Sequence, residues 1–84
     1  MAYQVNLKKQ ATKVLETINE PYYAKLKKAI YGLADNPRPQ GYIKLRSRNG
    51  YRIRVADYRI LYEIFDDTLS VDIINLGHRK DIYE

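Results

Sequence analysis

Arginine is gathered into one stretch of this 84-residue chain. Between Arg38 and Arg59 stand seven basic residues (Arg38, Lys44, Arg46, Arg48, Arg52, Arg54 and Arg59) against one acid, Asp57, a net charge of +6. The whole chain carries +5, so the remainder is close to neutral. Six of the seven arginines fall in this stretch, whereas six of the eight lysines precede residue 30. A guanidinium is planar, permanently charged and able to grip two oxygens at once, which suits phosphate. A sheet face built for solvation alone would mix Lys, Glu and Thr more evenly. Nucleic acid is the phosphate-bearing partner that such a stripe fits best.

Few other groups are available for chemistry. The chain has no cysteine and a single histidine, His78, which rules out disulfides and the usual zinc clusters. Ser47 and Ser70 stand in no nucleophile-elbow context. Asp66-Asp67 reads as a turn, and no glycine-rich phosphate loop is present. An enzyme made from this set would work with Arg, Lys, Tyr and His78. RNA cleavage is well matched to that set, because the 2′-hydroxyl of RNA is its own nucleophile. The protein then has to position the strand, stabilise charge on the pentavalent phosphorane and help protons move. No apolar run approaches the ~20 residues of a membrane span, and the start MAYQVNLKK has no signal-like apolar stretch. A cytoplasmic domain without metal or cofactor is the expectation.

The arginines need a frame, and GYRIRVADYRILYEIF supplies it. Tyr51, Ile53 and Val55 alternate with Arg52 and Arg54; Tyr58, Ile60, Tyr62 and Ile64 alternate with Arg59, Leu61, Glu63 and Phe65. A period of two in β-branched and aromatic residues predicts strands over 51–55 and 58–65, joined as a hairpin by Ala56-Asp57. Residues 3–7 read as a first strand. Ala11, Val14, Leu15 and Ile18 mark a helix over 8–18. Asn19-Glu20-Pro21 breaks it, with Glu20 or Asn19 capping a second helix over 22–34 whose buried stripe is Tyr23, Leu26, Ile30 and Leu33. Residues 35–41 form a loop around two prolines, 42–46 a short edge strand, and 69–76 a largely apolar strand suited to a central position. Gly77 ends that strand. The result is one α+β domain, 1–84, ordered β-α-α-β-β-β, its antiparallel sheet covered on one face by the two helices. Arg52, Arg54 and Arg59 then belong to the uncovered face.

The segment KLRSRNGYRIRVADYRILYEI, followed after one more strand by GHRKDIY, resembles the RelE/ParE toxin superfamily, and within it the RelE branch of messenger-RNA interferases from type II toxin–antitoxin systems. The likeness spans nearly the whole chain and carries the RelE-like fold with it. It implies a metal-independent endoribonuclease that cuts messenger RNA on the ribosome, in the 30S A site, and so inhibits translation. It further implies that Arg59 and Arg79 contact the scissile phosphate, and that Tyr83 orients the nucleotide and helps activate the 2′-hydroxyl. Arg52 and Arg54 fall where some members carry lysines. Arginine effectively cannot lose its proton, so these two are phosphate or RNA ligands; either Tyr83, His78 or Lys80 is the general base, or the base is weak and the ribosome supplies the alignment. Lys44, Arg46 and Arg48 read as a ribosomal-RNA docking patch, with His78 and Lys80 as further RNA contacts. A cognate antitoxin is the implied partner. The rival reading within the same fold is a ParE-like protein that binds and inhibits DNA gyrase without cutting RNA.

Overall fold

The computed structural model describes residues 2–46, 49–80 and 82. Of the candidate residues, Arg48 and Tyr83 lie outside them. The chain runs β1 (Gln4–Leu7), α1 (Lys9–Leu15), α2 (Tyr22–Gly32), β2 (Ile43–Lys44), β3 (Gly50–Val55), β4 (Tyr58–Phe65) and β5 (Ser70–His78). The five strands form one sheet in the order β1-β5-β4-β3-β2. Three pairings are antiparallel, but β1 lies parallel to β5, with Val5 opposite Val71. The sheet is therefore mixed, not wholly antiparallel. The apolar run of residues 69–76 does become a central strand, flanked by β1 and β4.

Strand alternation sorts the side chains as the sequence requires. Ile53 pairs with Ile60 and Tyr51 with Tyr62 across the β3–β4 ladder, and all four are buried. They meet Ala11 and Leu15 from α1 and Leu26, Ile30 and Leu33 from α2 in one core. Val55, Tyr58 and Tyr23 pack at its margin, half-buried. Burying side chains of this size stabilises the fold by roughly 1.5–3 kcal/mol each before the entropic cost is set against it.

Both helices are shorter than their hydrophobic period suggests. Thr17 donates its hydroxyl to the Val14 carbonyl at 2.7 Å, and the Thr17 and Ile18 amides bond back three residues. Side-chain competition and a tightened last turn thus end α1 at Leu15. At the start of α2, Pro21 is the N-cap, and Glu20 supplies the capping acceptor by taking the Ala24 N–H on Oε1 at 2.9 Å. The expected edge strand over 42–46 shrinks to Ile43–Lys44.

At its far end β5 departs from the sequence reading: it passes through Gly77 and ends at His78. It also carries an irregularity. Leu61 faces Asn75 while Tyr62 faces Ile73, so Ile74 is an extra residue in the ladder. A β-bulge of this kind reverses the inward–outward alternation beyond it. Val71 and Ile73 point to the core before the bulge, and Leu76 and then His78 do so after it. The Leu76 N–H donates to the Asn75 side-chain oxygen at 2.9 Å, which supplies an acceptor where the ladder is disturbed.

Candidate phosphate-binding site at one end of the sheet

The β3–β4 ladder sets Arg54 directly opposite Arg59, and Arg52 opposite Leu61. All lie on the side away from Ile53 and Ile60, the face the helices leave uncovered. Next along the sheet, Gly77 of β5 faces Arg59, so no β5 side chain stands over that arginine. Arg79 follows two residues later, its N–H donating to the Asp57 carbonyl at 2.8 Å. That bond ties the start of the tail to the β3–β4 turn. Arg54, Arg59 and Arg79 are thereby gathered at one end of the sheet.

The surroundings differ among these residues. Arg54 and Arg79 are exposed, whereas Arg52 and Arg59 are half-buried, and the Nε of Arg59 is buried. Glu63, an acid on the same strand and face as Arg59, is four residues away, about 13 Å of strand. Asp72 faces Glu63 and is held by Lys8 at 3.6 Å and the Asn6 amide at 3.2 Å. The open face is thus polarised, arginine at the hairpin-turn end and carboxylate at the other. Guanidinium groups concentrated this way form a positive field able to seat successive phosphates.

Other candidates are placed differently. Lys44 pairs with Tyr51 and sits with its Nζ 5.1 Å from the centre of that ring, so it lies on the helix side of the sheet. Arg46 is exposed beyond β2, and Lys80 is exposed beside Arg79. His78 pairs with Tyr58 and stacks edge-on against it at 5.7 Å, again on the helix side. Its Nδ1 accepts the Lys80 N–H at 3.3 Å. Arg38, part of the basic stretch in sequence, is structural: it grips Asp66 through Nη2 at 2.9 Å, donates to the Tyr51 hydroxyl at 3.1 Å and lies over the Tyr51 ring at 5.2 Å. Asp66 also accepts the Tyr3 hydroxyl at 2.6 Å. The Arg38 and Tyr3 hydrogen bonds hold the Asp66 carboxyl below the usual carboxylate range, and the same bond raises Tyr3. Burial raises Tyr62, whose hydroxyl donates to the Pro37 carbonyl at 2.8 Å.

Sequence reasoning misses one feature. A cavity of about 690 Å³ opens at the same end of the sheet, on its helix side, between the α1–α2 connection and the ends of β4 and β5. Glu20, Tyr22, Tyr58, Leu76 and His78 line it, with Ile82 of the tail. Its residues come from four separate parts of the chain, and no local pattern announces such a meeting.

A family described as the ParE toxin of type II toxin–antitoxin systems matches residues 5–83. A RelE-like toxin protein of Escherichia coli is 27% identical over 88 residues, covering 99% of this chain and 92% of its own. Among solved structures, the fold is similar to the RelE–RelB complex of Pyrococcus horikoshii (TM-score 0.85, 27% identity, 98% and 100% of the two chains). It is similar also to the RelBE2 toxin–antitoxin complex of Mycobacterium tuberculosis (0.82, 26%, 96% and 95%). The isolated RelE toxin of Escherichia coli gives 0.79 at 26% identity, over 92% and 84% of the chains.

Proposed function

Since the chain belongs to the ParE toxin family of type II toxin–antitoxin systems, within the RelE/ParE superfamily, we propose that it stops growth by cutting messenger RNA on the ribosome. The 2′-hydroxyl attacks the adjacent phosphorus, and the bond to the 5′-oxygen of the next nucleotide breaks. The 2′-proton passes to a base, and the 5′-oxygen leaves with a proton. The products are a 2′,3′-cyclic phosphate and a 5′-hydroxyl. Arg59 and Arg79 hold the scissile phosphate, and Arg79 offsets charge on the phosphorane and the leaving oxygen. Arg52 and Arg54 hold flanking phosphates, with Arg46 and Lys80 at the rim. Tyr83 is assigned the nucleotide-orienting role by the family resemblance. The His78 ring, turned to the helix side, supports RNA contact better than proton transfer at Arg59, which leaves Lys80, and Tyr83 by the resemblance, as the candidates for the base.

The observation that carries this reading is the convergence of Arg54, Arg59 and Arg79 at one end of the open face. The test is to map the 5′ ends of transcripts after brief induction. Cuts within codons, bearing 5′-hydroxyls and lost with Arg79→Ala, are expected. Full cleavage and full growth arrest by both Arg59→Ala and Arg79→Ala would overturn it. The solved relatives include RelE bound to RelB, which supports a cognate antitoxin as partner here, with acidic segments covering the arginine face.

One observation favours a second reading. The matching family is the ParE branch, and such a protein would inhibit DNA gyrase by binding. Induction would then provoke DNA damage with transcripts left whole.

A further inference from the structure

We infer that the cleft bounded by Tyr22, Tyr58 and His78 is the seat of one unpaired base of the bound RNA, and that it sets nucleotide preference at the cut. This rests on the ribonuclease reading. Three rings form a continuous wall there: Tyr22 and Tyr58 have centroids 5.6 Å apart, and Tyr58 and His78 5.7 Å. Tyr22 stands at the mouth, 42% exposed, with Lys25 Nζ 5.9 Å from its ring centre; a base stacking on Tyr22 would take the place of that mobile lysine. Base–aromatic stacking is the means by which proteins hold unpaired RNA.

The lining decides what kind of ligand fits. Among the described residues no Arg or Lys borders the cleft, and one carboxylate, Glu20, does. An anion would be repelled there, whereas a neutral planar ring would not. One Glu20 oxygen is taken by the Ala24 N–H, so the other remains an acceptor for a base amino group. With His78 Nδ1 accepting from Lys80, the neutral imidazole carries its proton on Nε2 and can donate to a base carbonyl or ring nitrogen. The volume, about 690 Å³, falls within the roughly 300–1,000 Å³ of small-ligand sites.

Connectivity joins this cleft to the arginines. Tyr58 precedes Arg59, and His78 precedes Arg79. On β4, Tyr58 and Arg59 point to opposite sides of the sheet, so base seat and phosphate seat stand back to back at its end. A nucleotide folded around that end would leave its phosphate on Arg59 and Arg79 and tuck its base against Tyr22.

Two experiments test the proposal. In 5′-end mapping, Tyr22→Ala should flatten the nucleotide preference at the cut and lower cleavage by about 5- to 100-fold, the loss of one stacked base. Tyr22→Phe, which keeps the ring, should restore the preference. Glu20→Gln, which keeps the capping acceptor, should shift preference among bases. In NMR titration of the full chain, the four nucleoside 5′-monophosphates should move the Tyr22, Leu76 and His78 amides to differing extents. Inorganic phosphate should move those of Arg54, Arg59 and Arg79 instead. A cutting pattern unchanged by Tyr22→Ala, or cleft amides that ignore nucleotides, overturns the base seat and leaves the ribonuclease reading standing. Cleft amides shielded by a bound partner protein yet indifferent to nucleotides would make it a protein-docking site and also overturn it. A wild-type chain that cuts no RNA overturns the ribonuclease reading and the cutting-preference role together.

Discussion

Arg54 and Arg59 stand directly opposite each other across the β3–β4 ladder, on the open face of the sheet. Like charges in cross-strand register oppose folding by roughly 0.2–1 kcal/mol, and a phosphate between the two would relieve that repulsion. Replacing Arg54 with threonine, a good strand former, should raise the unfolding free energy by that scale, read as a higher urea midpoint. The same variant should weaken RNA binding and flatten its salt dependence by about 0.7 in log–log slope, the share of one single-strand phosphate contact. Stability and binding moving in opposite directions is the expected signature.

Loss of a donor to the phosphorane should be far more costly than loss of a flanking contact. Arg59→Ala and Arg79→Ala should each reduce cleavage by on the order of 10²–10³, measured as cut transcript per unit time on programmed ribosomes. A chelator selective for transition metals, with magnesium kept for the ribosome, should leave the wild-type rate unchanged, because in this scheme guanidinium groups carry the charge stabilisation.

The turn that holds Arg79 is strained. Ala56 has φ +54°, in the left-handed region that glycine occupies without penalty. Ala56→Gly should stabilise the domain by about 0.5–1 kcal/mol, read as a rise in thermal midpoint. Leu69, at φ +53° in the β4–β5 connection, should respond in the same direction.

The Arg38–Asp66–Tyr3 cluster predicts a two-sided pH dependence of stability. Asp66 has its pKa lowered by folding, so its contribution is present above the unfolded value, about 3.9, and is lost as pH falls through the lower folded value. Tyr3 has its pKa raised, so its contribution is present below about 10 and is lost as pH rises through the folded value. Asp66→Asn should flatten both flanks in urea titrations run across pH.

Much of this was legible in the chain itself. Strict alternation in YRIRV and YRILYEIF fixes which residues share a face, so the arginine face and the buried Ile53, Ile60, Tyr62 and Ile64 follow from pattern alone. The order of elements follows from changes of period and from Pro21, Pro37 and Pro39. Three things do not. Arg38 looks like its neighbours until a partner 28 residues away, Asp66, claims it. Lys44 depends on the register of a two-residue strand. The cleft depends on how the α1–α2 connection packs over the ends of β4 and β5, a tertiary matter that no local spacing encodes.

Side-chain direction along a strand is a matter of parity, and Ile74 changes the count from odd to even. An intact alternation from Ile73 would send Gly77 inward and His78 out among the arginines, emptying the aromatic wall. Excising that single residue would leave a regular ladder with Leu76 and His78 still turned to the helices, so the bulge is what lets a strand one residue longer keep its aromatic wall.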